Sequence, residues 1–111
     1  MTITKPILAT LLLLYLSAGC SSITPVGRAT YAAVPSEVVE VLYQEPQRPY
    51  DVVSMVSHEA ATRFASVPDV IETCRELAAK SGADALIITS TFDQTFNTAA
   101  KASGKAIKWK R

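Results

Sequence analysis

The sequence predicts an α+β fold, a two-layer sandwich in which one main helix covers a four-stranded sheet in the order β-β-α-β-β. Two short apolar runs with strand character come first, one stripe of apolar residues at helical spacing follows, and two further apolar runs close the chain. Proline, glycine and polar residues separate these runs. The 49% hydrophobic content includes an apolar N-terminal segment, so the remainder has the polarity of an ordinary globular domain.

The first two strands are predicted at residues 38–43 and 50–57. Side chains alternate along the first run, which is typical of a strand with one well-buried face, and the second run is rich in valine. Pro46 and Pro49 cannot both belong to a central strand, because proline has no amide hydrogen for the ladder. Residues 44–49 are therefore expected to form a loop, and a hairpin is the simplest connection.

The main helix is predicted to begin at Ser66, whose hydroxyl can accept from the first free amides. Pro68 is tolerated in the first turn, and Asp69 suits the positive end of the helix dipole. Gly82 is expected to end the helix, since glycine adopts positive φ with little strain. One face of this helix should cover the sheet. Its apolar residues are Val70, Ile71, Cys74, Leu77 and Ala78.

The last two strands are predicted at residues 83–90 and 105–111. The first is a continuous apolar run, as expected of an interior strand, and in the second Ile107 and Trp109 alternate with lysines. The polar segment between them, 91–104, reads as a long mobile hairpin loop. Two interpretations of its phenylalanines, Phe92 and Phe96, remain open: contact with a partner, or packing back onto the core.

The N-terminus has the features of a secretory signal, with Lys5 ahead of an apolar run at residues 7–16. The sequence Leu16-Ser17-Ala18-Gly19-Cys20 that closes this run resembles the lipobox of bacterial lipoproteins, although Ser17 stands where lipoboxes most often carry leucine. The resemblance implies cleavage before Cys20, a thioether-linked diacylglycerol on its sulfur and an acylated new N-terminus. A retained membrane helix is the rival interpretation, but a span needs about twenty apolar residues. Cleavage by the ordinary peptidase would leave the position of Cys20 unexplained.

Three segments follow from this interpretation: a signal peptide at 1–19, a lipidated tether at 20–36 and a periplasmic α+β domain at 37–111. The tether is rich in small and polar residues and is expected to be flexible, with a span of roughly 20 Å. By the sorting pattern of such lipoproteins, Ser21 after the cysteine implies the outer membrane. The expected location is the outer membrane, lipid-anchored and facing the periplasm.

Three segments of the domain also resemble the small domains of the YbjQ type and of the Rcs-pathway stress-sensor lipoproteins. These segments are 39–43, 49–53 and 82–87, and the resemblance spans most of residues 38–111. It implies either a ring-forming domain linked to heavy metals or an envelope-stress sensor that binds outer-membrane and inner-membrane partners. The chain lacks the paired cysteines of the sensor, so disulfide-dependent signalling does not carry over.

Catalytic and metal-binding signatures are weak. The chain has one histidine, His58, and one cysteine beside the predicted lipid carrier, Cys74, without CxxC or HxxxH spacing. Adjacent Ser57, His58 and Glu59 are the residue types of a triad, but triad members normally come from separated elements. We therefore predict a non-enzyme with no cofactor, no catalytic residue and no metal site within one chain. A metal shared between subunits, through His58 with Glu59 or through Cys74, is the alternative.

Cys74 lies in the helical stripe, so burial as a small apolar residue is the main interpretation, and an intermolecular disulfide or redox sensor is the alternative.

The C-terminal end is basic although the whole chain carries only +1. This is either a solvated strand face or a contact for anionic headgroups, lipopolysaccharide phosphates or an acidic partner. The residues predicted for such a contact are Lys105, Lys108, Lys110 and Arg111.

Together these patterns predict an outer-membrane lipoprotein whose small periplasmic domain works by binding, without chemistry, in envelope maintenance or stress sensing. The expected partners are the membrane through the lipid anchor and an unidentified envelope protein, with homo-oligomerisation open and no nucleic acid. The alternative is a self-assembling small-ligand or metal-binding module.

Overall fold

The protein has an α+β fold in which one α-helix packs on a five-stranded mixed sheet. The computed structural model describes residues 19–111, and the predicted signal peptide, apart from Gly19, lies outside them. In the described part of the chain, no helix is long and apolar enough to cross a bilayer. The elements are β1 (Cys20–Pro25), β2 (Glu40–Leu42), β3 (Tyr50–Glu59), α1 (Val67–Lys80), β4 (Ala85–Phe92) and β5 (Lys101–Trp109), with one 3₁₀ turn at Ser36–Val38.

The prediction of four strands is wrong by one, because β1 lies within the segment predicted to be a flexible tether. It pairs antiparallel with β3, from Cys20 opposite Glu59 to Pro25 opposite Ser54. All six residues of β1 are exposed, so no apolar alternation marks it in the sequence. An edge strand needs only the free backbone groups of its neighbour. The sequence does not reveal the free edge of β3, because that edge exists only once the sheet has formed.

The strand order in the sheet is β1-β3-β5-β4-β2. The hairpin expected between the first two predicted strands is therefore wrong, since β2 pairs in parallel with β4 at the opposite edge. This position buries Val39, which is 1% exposed, in the core beneath α1. Arg75 of the helix also donates to the Val39 carbonyl at 2.9 Å. Packing of Val39 and Arg75 between this segment and the helix thus favours the pairing of β2 with β4 over a hairpin between β2 and β3.

β4 and β5 form an antiparallel hairpin; β4 is shifted by two residues from the predicted 83–90, and β5 is longer than the predicted 105–111. The loop between them covers only residues 93–100 instead of 91–104. The sequence does not indicate the pairing of β4 with β5 within 91–104, because the side chains there are polar or small and the strands are joined by backbone hydrogen bonds. Two loops thus project beyond the same end of the sheet, 60–66 between β3 and α1 and 93–100 between β4 and β5.

The predicted helix is confirmed with its boundaries. The Ser66 amide donates to the Asp69 carboxylate at 2.8 Å, and Gly82 has φ of +75° directly after the C-terminal turn. The helix lies close to the sheet because β5 presents small residues to it, namely Ala102, Gly104 and Ala106. A Cβ atom at Gly104 would lie 2.6 Å from the Ile87 carbonyl oxygen, so this packing excludes any larger residue. We call this side of the sheet the helix face and the other side the outer face.

Candidate functional site

Cys20, the predicted lipid carrier, is exposed and is the first residue of β1. It stands opposite Glu59, and two residues later the hydroxyl groups of Ser22 and Ser57 are 2.7 Å apart. The structure therefore places Cys20 directly at the sheet edge, with no free chain between it and the domain. Any acyl group on its sulfur would begin at the surface of the domain.

Cys20 belongs to a row of residues that crosses four strands. Glu59 stands opposite both Cys20 and Lys101, and Lys101 stands opposite Phe92. Because neighbouring strands are about 4.8 Å apart, the row spans about 14 Å. The loops 60–66 and 93–100 begin at this row. We call the row and these two loops together the loop end.

Exposed aromatic side chains are concentrated at the loop end. Phe64 is 82% exposed and Phe96 is 84% exposed, and Phe92 is 62% exposed. The Arg63 guanidinium lies between the first two rings, 5.3 Å from the Phe64 centroid and 5.2 Å from the Phe96 centroid. It also donates to the Phe96 carbonyl at 3.4 Å. Such cation–π contacts hold both loops side by side.

The two interpretations of Phe92 and Phe96 are therefore resolved in favour of exposure, since neither ring folds back onto the core. Arg63 and Phe64 are contributors that the sequence interpretation missed, because residues 58–65 form a short ambiguous segment that could make a helical turn and is predicted as loop, although residues 58–59 end β3. A phenylalanine next to an arginine in a polar loop is the signal that was present.

The residue types of a triad do not come together. His58 is buried on the helix face, whereas its neighbours Ser57 and Glu59 point to the outer face, as strand alternation requires. The hydroxyl of Ser21 forms a hydrogen bond with the His58 ring, 2.6 Å from Nδ1. Burial lowers the pKa of His58 below its ordinary value, so the ring is neutral at pH 7. A neutral histidine bonded to an edge-strand serine has a structural role here.

A shallow cleft of about 220 Å³ lies beside His58, between loop 60–66 and the start of α1. Its lining is mostly alanine and threonine, with one carboxylate, Asp69. That carboxylate is already occupied by the Ser66 amide and hydroxyl. Across residues 19–111, no three histidine, cysteine or acidic side chains are grouped as metal ligands.

Cys74 is fully buried between α1 and β5, with Sγ 3.6 Å from the Ala102 carbonyl oxygen. Burial raises the pKa of its thiol to about 11. Thiolate is the reactive form of cysteine, so Cys74 is unreactive at neutral pH. Its place in the core agrees with the predicted helical stripe.

Of the residues predicted for the basic contact surface, Lys108, Lys110 and Arg111 lie at the opposite end of the sheet from Cys20, whereas Lys105 is in the middle of β5. Lys105 pairs with Glu45 at 3.3 Å, Lys108 with Asp84 at 3.6 Å and Lys110 with Asp51 at 3.6 Å. Tyr50 pairs with Trp109 at this end, nine residues along β3 from Glu59, which corresponds to about 30 Å. A ligand here would have to compete with carboxylates already in place.

Comparison with known proteins gives the fold only. No family model matches the chain, and no curated protein matches it. A solved structure with a similar fold is the crystal structure of a Francisella virulence factor, FvfA, in its orthorhombic form. The TM-score is 0.62 at 13% sequence identity, and the alignment covers 78% of this chain and 95% of that chain.

Proposed function

We propose that this protein is an outer-membrane lipoprotein whose small periplasmic domain works by binding, in envelope maintenance or stress sensing. The observation that carries the proposal is Cys20, which ends a lipobox-like sequence and is exposed at the loop end. A cysteine that receives a diacylglycerol group must be accessible, and its surroundings must tolerate hydrocarbon. An exposed sulfur at the edge of a domain with projecting phenylalanines meets both needs.

The settings of His58 and Cys74 support a binding role without chemistry. His58 is neutral and bonded to Ser21, and Cys74 is buried as a thiol. Cys74 is not available as a nucleophile, and the His58 ring is engaged by the hydroxyl of Ser21. The partner of such a domain would be recognised by its exposed surface, and we propose another envelope protein as this partner.

The direct test is labelling with palmitate in the bacterial host. The parent chain and Cys74→Ser are expected to incorporate label equally, whereas Cys20→Ser is expected to incorporate none. The Cys74 variant is the matched control, because it removes the other cysteine of the chain. Equal labelling of Cys20→Ser and parent would refute the anchor, and separation of inner from outer membranes would test the address.

The alternative, a self-assembling small-ligand or metal-binding module, is favoured by one feature, the two open sheet edges. β1 has six exposed residues and β2 only three residues, and each has one unpaired backbone side. An open edge can accept a strand from a second copy. Size-exclusion chromatography of the detergent-solubilised protein separates the two functions, since a discrete ring supports the alternative and a monomer supports the sensor-like role.

A further inference from the structure

We propose that the loop end is a second, non-covalent membrane attachment, in which Phe64 and Phe96 insert into the bilayer that receives the lipid of Cys20. The inference rests on the proposed lipidation of Cys20 and adds an orientation to it. The domain would stand on the membrane with its loop end down. The opposite end, with Trp109, would face the periplasm.

The first argument is the exposure of the rings. Phe64 and Phe96 are more than four-fifths exposed, although burial of a phenylalanine side chain away from water is favourable. Exposed large apolar groups that cluster on a surface mark an interaction site. Arg63 holds the two rings together, so they form one apolar tip instead of two independent loops.

The second argument is the place where the apolar N-terminal chain meets the domain. Residues 7–16 are apolar and end four positions before Cys20. Whether this segment is cleaved and replaced by acyl chains or retained, the hydrocarbon begins at the loop end. No flexible segment separates Cys20 from the sheet, since Cys20 is the first residue of β1 and pairs with Glu59. Phe92, at the other end of the row, is only about 14 Å from Cys20.

The third argument is charge. Arg63 and Lys101 are cations at the loop end, positioned for phosphate oxygens of lipid headgroups. Of the acids near them, Glu59 stands opposite Lys101, Asp69 accepts from Ser66, and Asp93 accepts from the Gln94 amide. Hydrogen bonds from amides do not cancel negative charge, and the formal charges of Glu59, Arg63, Asp93 and Lys101 at the loop end sum to zero. Arg63 lies directly beside Phe64 and Phe96, so it is the cation that lipid phosphates would meet when the two rings insert.

The test is depth-dependent quenching of tryptophan by brominated lipids. The parent chain has one tryptophan, Trp109, at the end that would face away from the membrane. The full-length lipidated protein is reconstituted in vesicles of phosphatidylethanolamine and phosphatidylglycerol with bromines on the acyl chains. Trp109 of the parent is expected to keep its emission. Phe96→Trp in a Trp109→Phe background is expected to lose most of it.

Two further variants define the surface. Tyr43→Trp in the Trp109→Phe background is the matched control, because Tyr43 is also an exposed aromatic residue, 67% exposed, but follows β2 at the opposite edge of the sheet. It should remain unquenched. Arg63→Gln added to Phe96→Trp should weaken the quenching in these vesicles, because one cation near an anionic surface favours insertion of the loop end about fivefold.

Failure of this inference is distinguishable from failure of the proposed function. A chain that carries palmitate but shows the same weak quenching at positions 96 and 109 is anchored without being seated on its loop end, and the inference is wrong. If no palmitate is found on Cys20, the proposed function is wrong as well. A photo-crosslinking residue at position 96 that joins a protein in intact cells, without lipid quenching, would assign the loop end to a protein partner and overturn the inference.

Discussion

At the scale of single residues, burial decides which polar and sulfur-containing groups can act. Cys20 and Cys74 have the same chemistry, yet one sulfur is exposed at the sheet edge and the other has no exposed surface. His58 and Ser57 are neighbours in sequence, yet strand alternation puts them on opposite faces. The only cysteine that an enzyme or lipid could reach in the folded domain is Cys20.

Cys74 is expected to resist thiol reagents in the folded chain. In Cys20→Ser, which leaves Cys74 as the only sulfhydryl, modification at pH 8 should be slow in buffer and rapid in denaturant, because burial raises the pKa of the thiol to about 11. In the unfolded state the thiol ionises near its ordinary pKa of 9.0. The contribution of Cys74 to stability is therefore present below pH 9 and is lost as pH rises towards 11.

Equal modification rates in buffer and denaturant would contradict the buried setting of Cys74. The same variant also addresses the redox alternative. A dimer band on non-reducing electrophoresis that disappears on addition of Cys74→Ser would show that this thiol is exposed often enough to form a disulfide.

At the scale of elements, local contacts define the ends of α1, whereas pairing with β3 defines β1. The Asp69 carboxylate closes the N-terminus of the helix by accepting from Ser66, and the Gly82 conformation closes the C-terminus. β1 has neither a cap nor an apolar face, and only the edge of β3 supports it. The limits of the helix are consequently set by nearby residues, whereas the strand depends on the sheet.

The helix cap predicts an acid dependence of stability. The Ser66 amide lowers the pKa of the Asp69 carboxyl below its ordinary 3.8, so its stabilising effect is complete at neutral pH and is lost as pH falls through that lowered pKa. Ser66→Ala should cost about 1 kcal/mol in free energy of unfolding at pH 7. Urea titrations between pH 7 and pH 3 should show a weaker acid dependence for Asp69→Asn than for the parent; parallel curves would contradict the role of Asp69.

The edge strand predicts a pattern of amide exchange. Amide hydrogens of residues 21–25 that bond to β3 should exchange with deuterium more slowly than those of residues 28–33, which belong to no helix or strand. Peptide-resolved mass spectrometry of the full chain measures both segments in one experiment. Uniformly fast exchange across 21–33 would contradict β1 and would support the flexible tether that the sequence predicts.

At the scale of the whole molecule, the sheet separates two chemically different ends. The loop end carries Cys20 and the exposed phenylalanines, and the opposite end carries Trp109 and the lysines that pair with carboxylates. About 30 Å lies between them, which is several times the Debye length at physiological salt. Lysines at the far end would therefore be screened from a membrane attached at Cys20, as proposed.

This separation predicts that the C-terminal lysines do not contribute to membrane contact. Lys108→Gln with Lys110→Gln should leave quenching of a tryptophan at position 96 unchanged across salt concentrations, whereas Arg63→Gln with Lys101→Gln should weaken it most at low salt. Glutamine avoids new repulsion with Asp84 and Asp51. A strong salt-dependent loss of quenching in the Lys108→Gln, Lys110→Gln variant would instead support the contact with anionic headgroups that the sequence suggests for the basic C-terminal end.

The sequence by itself determined the α+β class, the limits of the main helix and the burial of Cys74, because capping residues and helical periodicity act within a few positions of the chain. It also pointed to Cys20 through a five-residue pattern. Only the tertiary structure decided the strand order, the presence of β1 and the grouping of Arg63, Phe64 and Phe96. These depend on pairing between segments far apart in the chain, and such pairing leaves no local pattern when the side chains involved are small, polar or exposed.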